Sequence, residues 1–269
     1  MYALDLLTDK VVFDRSYPPD VDRMDIAADD RQIYMPPGEN TTADFNYVID
    51  AITGDVITKI PTAAKPHDTL CSAAGPRAYL ETVTSKYVSV VDTRTNQVSR
   101  VIGPFGDAVR PFVFNADETL MFANVNNFFG FEVADMTTGK VLHRVPVTGF
   151  NYNPKTLLSH GVGLTPDGKE LWVCDSTNSY IHVFNVAQLP PTQIASIALS
   201  GGTSHWVSFS IDGRFAYPAG PHGTTKPVDV IDTQTKRKVA SIPASRNIVE
   251  VDFDGGKVVK VGKQFGIGR

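Results

Sequence analysis

The chain has 269 residues, 42% of them hydrophobic and 10% aromatic, with 25 Lys and Arg against 29 Asp and Glu. The formal net charge of −4 is spread along the chain without a basic run able to track a phosphate backbone, which excludes nucleic acid as an expected partner. The longest apolar stretches are of strand length, so no membrane span is expected, and a single all-β domain over residues 1–269 fits the length. The opening Met1-Tyr2-Ala3-Leu4-Asp5 lacks the basic and apolar regions of a secretory leader. Two readings follow, a cytoplasmic protein or an exported one whose leader has been removed. Cys71 and Cys174 make no disulfide framework and are expected to be buried thiols in strands.

In chain order, the first element is a hairpin, Tyr2-Ala3-Leu4-Asp5-Leu6-Leu7-Thr8-Asp9-Lys10-Val11-Val12. Next come two hairpins, one turning at Asp29-Asp30 and one running from Tyr47 to Ile57 with Thr53-Gly54 at its turn. The second of these matches the opening hairpin almost position for position. The alternation then repeats, with first turns at Ala74-Gly75, Asp117-Glu118, Asp167-Gly168 and Asp212-Gly213. The hairpins that follow them span Val88 to Val98, Gly130 to Val141, Ile181 to Ile194 (with Pro190-Pro191 in its loop) and Val228 to Val239. A last hairpin, Ile248 to Val261, turns at Asp254-Gly255 and has no successor. Asp-Gly between β-rich runs is a strong hairpin signal and predicts a two-residue turn with both residues at positive φ.

Two hairpins per unit make a four-stranded sheet, and a period of about 40–50 residues is that of a propeller blade. A blade cannot bury both of its faces alone, and packing in a ring buries them. The orphan hairpin at each end predicts that the termini share one blade. The sequence therefore predicts an all-β, six-bladed β-propeller whose N-terminal strands pair with its C-terminal strands in one composite blade. The predicted blades are 248–262 plus 1–16, 23–60, 67–102, 110–145, 160–199 and 205–242. Closure removes exposed edge strands and requires no second subunit, so a monomer is expected.

The run Leu164-Thr165-Pro166-Asp167-Gly168-Lys169-Glu170-Leu171-Trp172-Val173, with Val48-Ile49-Asp50 and Val230-Ile231-Asp232-Thr233, resembles the YVTN-type bacterial propeller repeats. The resemblance covers almost the whole chain. It implies the fold but not the function, because such repeats serve lyases, lactonases, redox subunits and plain binding scaffolds alike.

Aligning the units on the turn, with seven residues from a leading position to the turn's aspartate slot, yields Arg23, His67, Arg110, His160, His205 and Asn247. Three of the six histidines fall in this one slot, and His222 lies in a loop expected at the same mouth of the channel. Imidazoles converging from several blades predict a transition-metal site of His67, His160, His205 and His222. Zn is expected first, with Cu, Fe or Mn as alternatives, since three histidines with an open position suit catalytic zinc. Arg23 and Arg110 are predicted to receive a carboxylate or phosphate, and Asp68 to orient a ligating imidazole. Two arginines in the ring oppose a cation unless they point away or face a bound anion. The competing reading is a metal-free pocket in which the histidines act as acid, base or hydrogen-bond donors.

Glu39, Asn126 and Asp175 are candidates for substrate contacts at that mouth. They resemble the Glu, Asn and Asp set with which gluconolactonase and paraoxonase-type propellers hold Ca²⁺, a less favoured ion here, and polar loops beside water are the plainer reading. Ser159-His160 and Ser204-His205 place a hydroxyl beside each imidazole, but strand neighbours point to opposite faces. His143 and His182 fall in outer strands and read as structural. The long connection from Thr148 to Ser159 is a candidate lid. The function predicted first is a metal-dependent hydrolase of a small anionic or ester substrate, a lactone, ester or phosphoester. A lyase on a cyclic ester, as in the virginiamycin B lyase propellers, and a non-catalytic binding propeller are the alternatives.

Overall fold

The computed structural model describes residues 1–150, 159–200, 202, 204–220, 227–244 and 248–262, with only the backbone of Ser159 and His160. Every regular element among them is a strand. The chain divides into two compact units, Met1–Arg110 with Thr138–Lys140, and Pro111–Thr137 with Val141–Arg269.

The first unit opens with β1 (Tyr2–Asp5) and β2 (Lys10–Asp14), a two-stranded sheet. A four-stranded sheet follows, of β3 (Asp25–Ile26), β4 (Gln32–Met35), β5 (Phe45–Asp50) and β6 (Val56–Pro61). The next is β7 (Pro66–Cys71), β8 (Arg77–Thr82), β9 (Val88–Asp92) and β10 (Gln97–Ile102). Three more four-stranded sheets come after these. One comprises β11 (Val109–Phe114), β12 (Leu120–Val125), β13 (Gly130–Asp135) and β14 (Val141–Pro146). A second comprises β15 (Ser159–Leu164), β16 (Glu170–Asp175), β17 (Tyr180–Asn185) and β18 (Thr192–Ala198). The third comprises β19 (Trp206–Phe209), β20 (Phe215–Ala219), β21 (Val228–Asp232) and β22 (Arg237–Ile242). A two-stranded sheet, β23 (Val251–Asp254) with β24 (Lys257–Val261), ends the series.

Every pairing is between sequence neighbours, the up-and-down order in which each four-stranded sheet is one repeat. This is a β-propeller-like all-β fold. Burial follows strand order within a repeat. β7 is buried throughout and β8 almost so, whereas β10 is exposed except at Ile102. In the first unit Tyr34, Val48, Leu80 and Val91 share one apolar cluster; in the second, Trp172, Val183, Phe209 and Ile231 share another.

The turns explain the repeat's sequence signature. In the first hairpins the chain crosses a four-residue loop, with Thr165 N–H bonded to Glu170 O and Gly168 N–H to Thr165 O. Gly168 is at φ 69° and Gly213 at φ 73°, while the preceding aspartates are not left-handed. The predicted pair of positive-φ residues is therefore corrected: one glycine follows a tight turn, and Asp167 accepts the N–H of Lys169 at 3.1 Å. Only at Gly255 and Gly256 do both residues of a two-residue hairpin loop take positive φ, among the described residues. In the second hairpins turning after Asp50 and Asp232, the aspartate ending the third strand accepts two turn amides, Asp50 from Ile52 and Thr53, and Asp232 from Gln234 and Thr235, and in β17 Asn185 stands there and accepts from Ala187. Asp5 does the same for Leu7 and Thr8, so β1–β2 is a hairpin of this second kind.

Candidate functional site

The chemistry of the first unit concentrates where β7 departs from regular pairing. Pro66 faces Thr82 and Thr69 faces Leu80, so two residues, His67 and Asp68, stand opposite one, Glu81. Such a bulge bends the strand and re-aims side chains. All three residues are buried, at 1%, 0% and 0% exposure. One oxygen, Glu81 Oε2, accepts the backbone N–H of Asp68 at 2.9 Å and lies 3.2 Å from His67 Nδ1. The bulge thus turns a ladder amide toward a side chain. On the far side of the ring, His67 Nε2 lies 2.7 Å from Arg23 Nη1.

Those contacts fix the proton arrangement. A guanidinium only donates, so Nε2 is the accepting nitrogen and the neutral imidazole carries its hydrogen on Nδ1, donating to Glu81. Burial pushes the Glu81 carboxyl well above the usual range and the Asp68 charge adds to this, against the opposing pull of Arg110, the Asp68 N–H and Arg23. Glu81 Oε1 has no hydrogen-bond partner among the described residues. Around this core, half-buried Arg110 pairs with Glu39 at 2.5 Å. Asp22 is raised to about 6 by burial, with Arg23 opposing and Glu39 reinforcing the shift.

The turn register revises one predicted equivalence. Ala27 N–H bonds to Gln32 O as Thr165 N–H does to Glu170 O, so seven residues before the turn aspartate Asp29 stands Asp22 rather than Arg23. The first unit's hairpin is offset by one residue, yet Arg23 still reaches His67. His67 and Arg110 occupy the second positions of β7 and β11, and His160 the second of β15. The β15 pairing repeats the bulge, with Ser159 facing Asp175 and Val162 facing Val173. There the two consecutive residues opposite one partner are His160 and Gly161, facing Cys174. His205 immediately precedes β19, is half-buried, and stacks on Trp206 with ring centroids 5.8 Å apart. The His160 side chain, His222, Asn247 and most of the predicted lid, 151–158, lie outside the described residues.

Glu39 joins the cluster through Arg110, and Asn126 is half-buried just after β12. Asp175 is fully buried, where its Oδ1 accepts the N–H groups of Thr177 and Asn178. No group of three or more His, Cys, Asp or Glu side chains arranged to hold a metal occurs among the described residues. His67 in this arrangement offers a metal no lone pair, because Nε2 faces Arg23 and Nδ1 carries the hydrogen. Cys71 and Cys174 are both buried thiols.

Glu81, the central residue here, lies outside the aligned slot, and the sequence offers it only as a weaker candidate at that mouth, ending a second strand. Its signal was present, a carboxylate inside the otherwise apolar strand core Ala78-Tyr79-Leu80-Glu81. The position opposite the β15 bulge is Cys174, so the carboxylate belongs to this repeat and not to the fold.

No family model and no curated protein matches this chain. Among solved structures, hydrazine synthase of Kuenenia stuttgartiensis matches with a TM-score of 0.73 and 17% identity. The match covers 90% of this chain and 80% of that one. At that identity the likeness is one of fold. Altogether 1358 chains of solved structures match, so the architecture by itself selects no function.

Proposed function

We propose that the β7 bulge and its two arginines form a site for a small anionic ligand. We further propose that the ligand is an ester, lactone or phosphoester hydrolysed by proton transfer. The observation that carries this reading is the placement of His67 between Glu81 and Arg23. An anionic substrate competes with His67 Nε2 for the Arg23 guanidinium, a donor suited to carboxylate or phosphate. Drawing Arg23 away frees the Nε2 lone pair to take a proton from water, while Nδ1–H stays anchored on Glu81. Arg110, paired with Glu39, supplies a second cation at the rim. The base therefore becomes available only when the substrate's charge is bound.

Calorimetric titration with phosphate and with acetate, beside hydrolysis assays on a panel of lactones, carboxylic esters and phosphoesters, tests the reading. Anion binding at millimolar or better affinity is expected, weakened at least about tenfold by Arg23→Gln, since a charge-assisted hydrogen bond is worth roughly 1.5–3 kcal/mol. Hydrolysis is expected to vanish in His67→Asn. A native protein that binds neither anion and turns over no ester would overturn it.

The transition-metal reading stays a proposal for a state in which Arg23 has left His67. Metal analysis of untagged protein decides it, with less than about a tenth of an equivalent of Zn, Cu, Fe or Mn, and no recovery on reloading, counting against it. We also propose that the ring has six blades. Five four-stranded sheets and two two-stranded ones supply strands for six, and β1–β2 carries the turn chemistry of a second hairpin. Membership of the YVTN-type repeats is supported by the motifs at 164–173, 48–50 and 230–233.

A further inference from the structure

A second constellation of reactive side chains lies entirely within the other unit, away from the β7 bulge in sequence and independent of the reading above. His182 on β17 stands directly opposite Ser196 on β18 and, across the other edge of its strand, opposite Val173 on β16. Its Nδ1 is 2.9 Å from Ser196 Oγ and its Nε2 is 3.1 Å from Asp175 Oδ2. His182 and Asp175 are both fully buried, whereas Ser196 is half-exposed.

The polarity of this chain follows from what each group can do. Burial pushes the Asp175 carboxyl up, but hydrogen bonds from His182, Asn178 and Thr177 outweigh it and hold the group below the usual range. Asp175 is therefore a carboxylate and accepts only, which places the imidazole hydrogen on Nε2 and leaves Nδ1 as the acceptor. Ser196 must donate its O–H to Nδ1. The serine oxygen is filled on its other side by Gln193 Nε2, which lies 3.0 Å away and also donates to Thr148 O at 3.2 Å. The ring cannot turn over, because Phe150 meets it edge-on at 4.6 Å, Phe129 at 5.7 Å, and Tyr180 stacks parallel at 6.2 Å.

We infer that Ser196, His182 and Asp175 form a nucleophile, base and positioning carboxylate for acyl transfer. Recognition of such a set rests on geometry and roles, not on chain order. Ser196 Oγ bonds to the acyl carbon of an ester as its proton passes to His182 Nδ1. The ester's alkoxide leaves with that proton as an alcohol. Water then attacks the acyl-serine, giving its proton to Nδ1, and the carboxylic acid departs as the Ser196 hydroxyl is restored. Asp175 steadies the imidazolium in both halves. The Gln193 Nε2 hydrogen that bonds Ser196 Oγ at rest is the nearest donor to the developing oxyanion, and it must leave Oγ to reach it.

Incubating the full chain with a fluorophosphonate probe tests this, because Oγ–P bond formation with loss of fluoride records a nucleophilic serine. One adduct per chain, mapped to Ser196 by peptide mass spectrometry and absent in Ser196→Ala, is expected. His182→Asn is expected to slow labelling at least about tenfold, the scale of general-base assistance. If that variant does not fold, Asp175→Asn, which keeps an oxygen for the turn amides, carries the same readout. Absence of any adduct on Ser196 in the native protein overturns the inference, as does labelling that runs at the native rate in a folded His182 or Asp175 variant.

Discussion

At the scale of single residues, Glu81 has the most consequential position in the first unit. Its carboxyl completes the bulge by accepting from both residues opposite it. Glu81→Ala strips the Asp68 amide and the His67 ring of their acceptor and leaves a void at a fully buried position. Unsatisfied buried donors cost about 1–3 kcal/mol each, so a loss of about 3 kcal/mol is expected. Glu81→Gln keeps a carbonyl oxygen for both donors and should cost under about 1 kcal/mol. Urea unfolding curves of the two variants measure the difference, and equal losses would show that the acceptor role is not what matters. This residue also marks where sequence reading ran out. The histidine slot and both arginines were visible as a pattern, and Arg23, His67, Asp68 and Arg110 do belong to one neighbourhood. That Nε2 faces a guanidinium was not visible, because it depends on a one-residue bulge and a one-residue hairpin offset. The contacts of His182 are equally invisible in the sequence, since its partners Asp175 and Ser196 lie on two different strands and become neighbours only through register.

At the scale of elements, the hairpins were legible because their turns are chemically demanding. A side-chain oxygen that collects turn amides ends the third strand, so Asp5, Asp50 and Asp232 recur there and Asn185 takes the same place in β17. The first-kind hairpins were placed correctly but given the wrong geometry, because Asp-Gly serves a four-residue loop as readily as a two-residue one. Two glycines in the β15–β16 hairpin separate conformational demand from space. A Cβ on Gly168, at φ 69°, meets nothing within 4 Å. A Cβ on Gly161 falls 2.2 Å from His205 O and 2.7 Å from Trp206 Cα, both backbone. Gly168→Ala should therefore cost about 1 kcal/mol, the strain of a left-handed residue alone. Gly161→Ala should cost about 3 kcal/mol or more, because one strand must be displaced from the next. Thermal melting of the two variants checks the order, and a Gly168→Ala loss equal to that of Gly161→Ala would contradict it.

At the scale of the whole molecule, the repeat was the most legible feature, and the matched fold of another protein over 90% of this chain agrees with it. Blade number was harder, because it depends on two hairpins that belong to no four-stranded sheet. Among the described residues each is paired only within itself. Inner strands elsewhere are buried, as in β7 and β8, yet β23 and β24 are exposed along most of their length. β1, by its turn a third strand, is also far more exposed than β5 or β9. An unpaired edge with apolar residues such as Val259 and Val261 is a liability that folded proteins cover. If the proposed six-bladed ring is right, β1 supplies the missing edge of β24 in solution. Hydrogen exchange on the full chain should then show slowed amides on alternate residues across Lys257–Val261, beyond those bonded to β23. Deleting residues 1–16 should release that alternate set while leaving the exchange of β7–β10 and β15–β18 unchanged. Indifference of β24 to the deletion would mean that something other than the N-terminal hairpin completes this edge, and the count of six would fall with it.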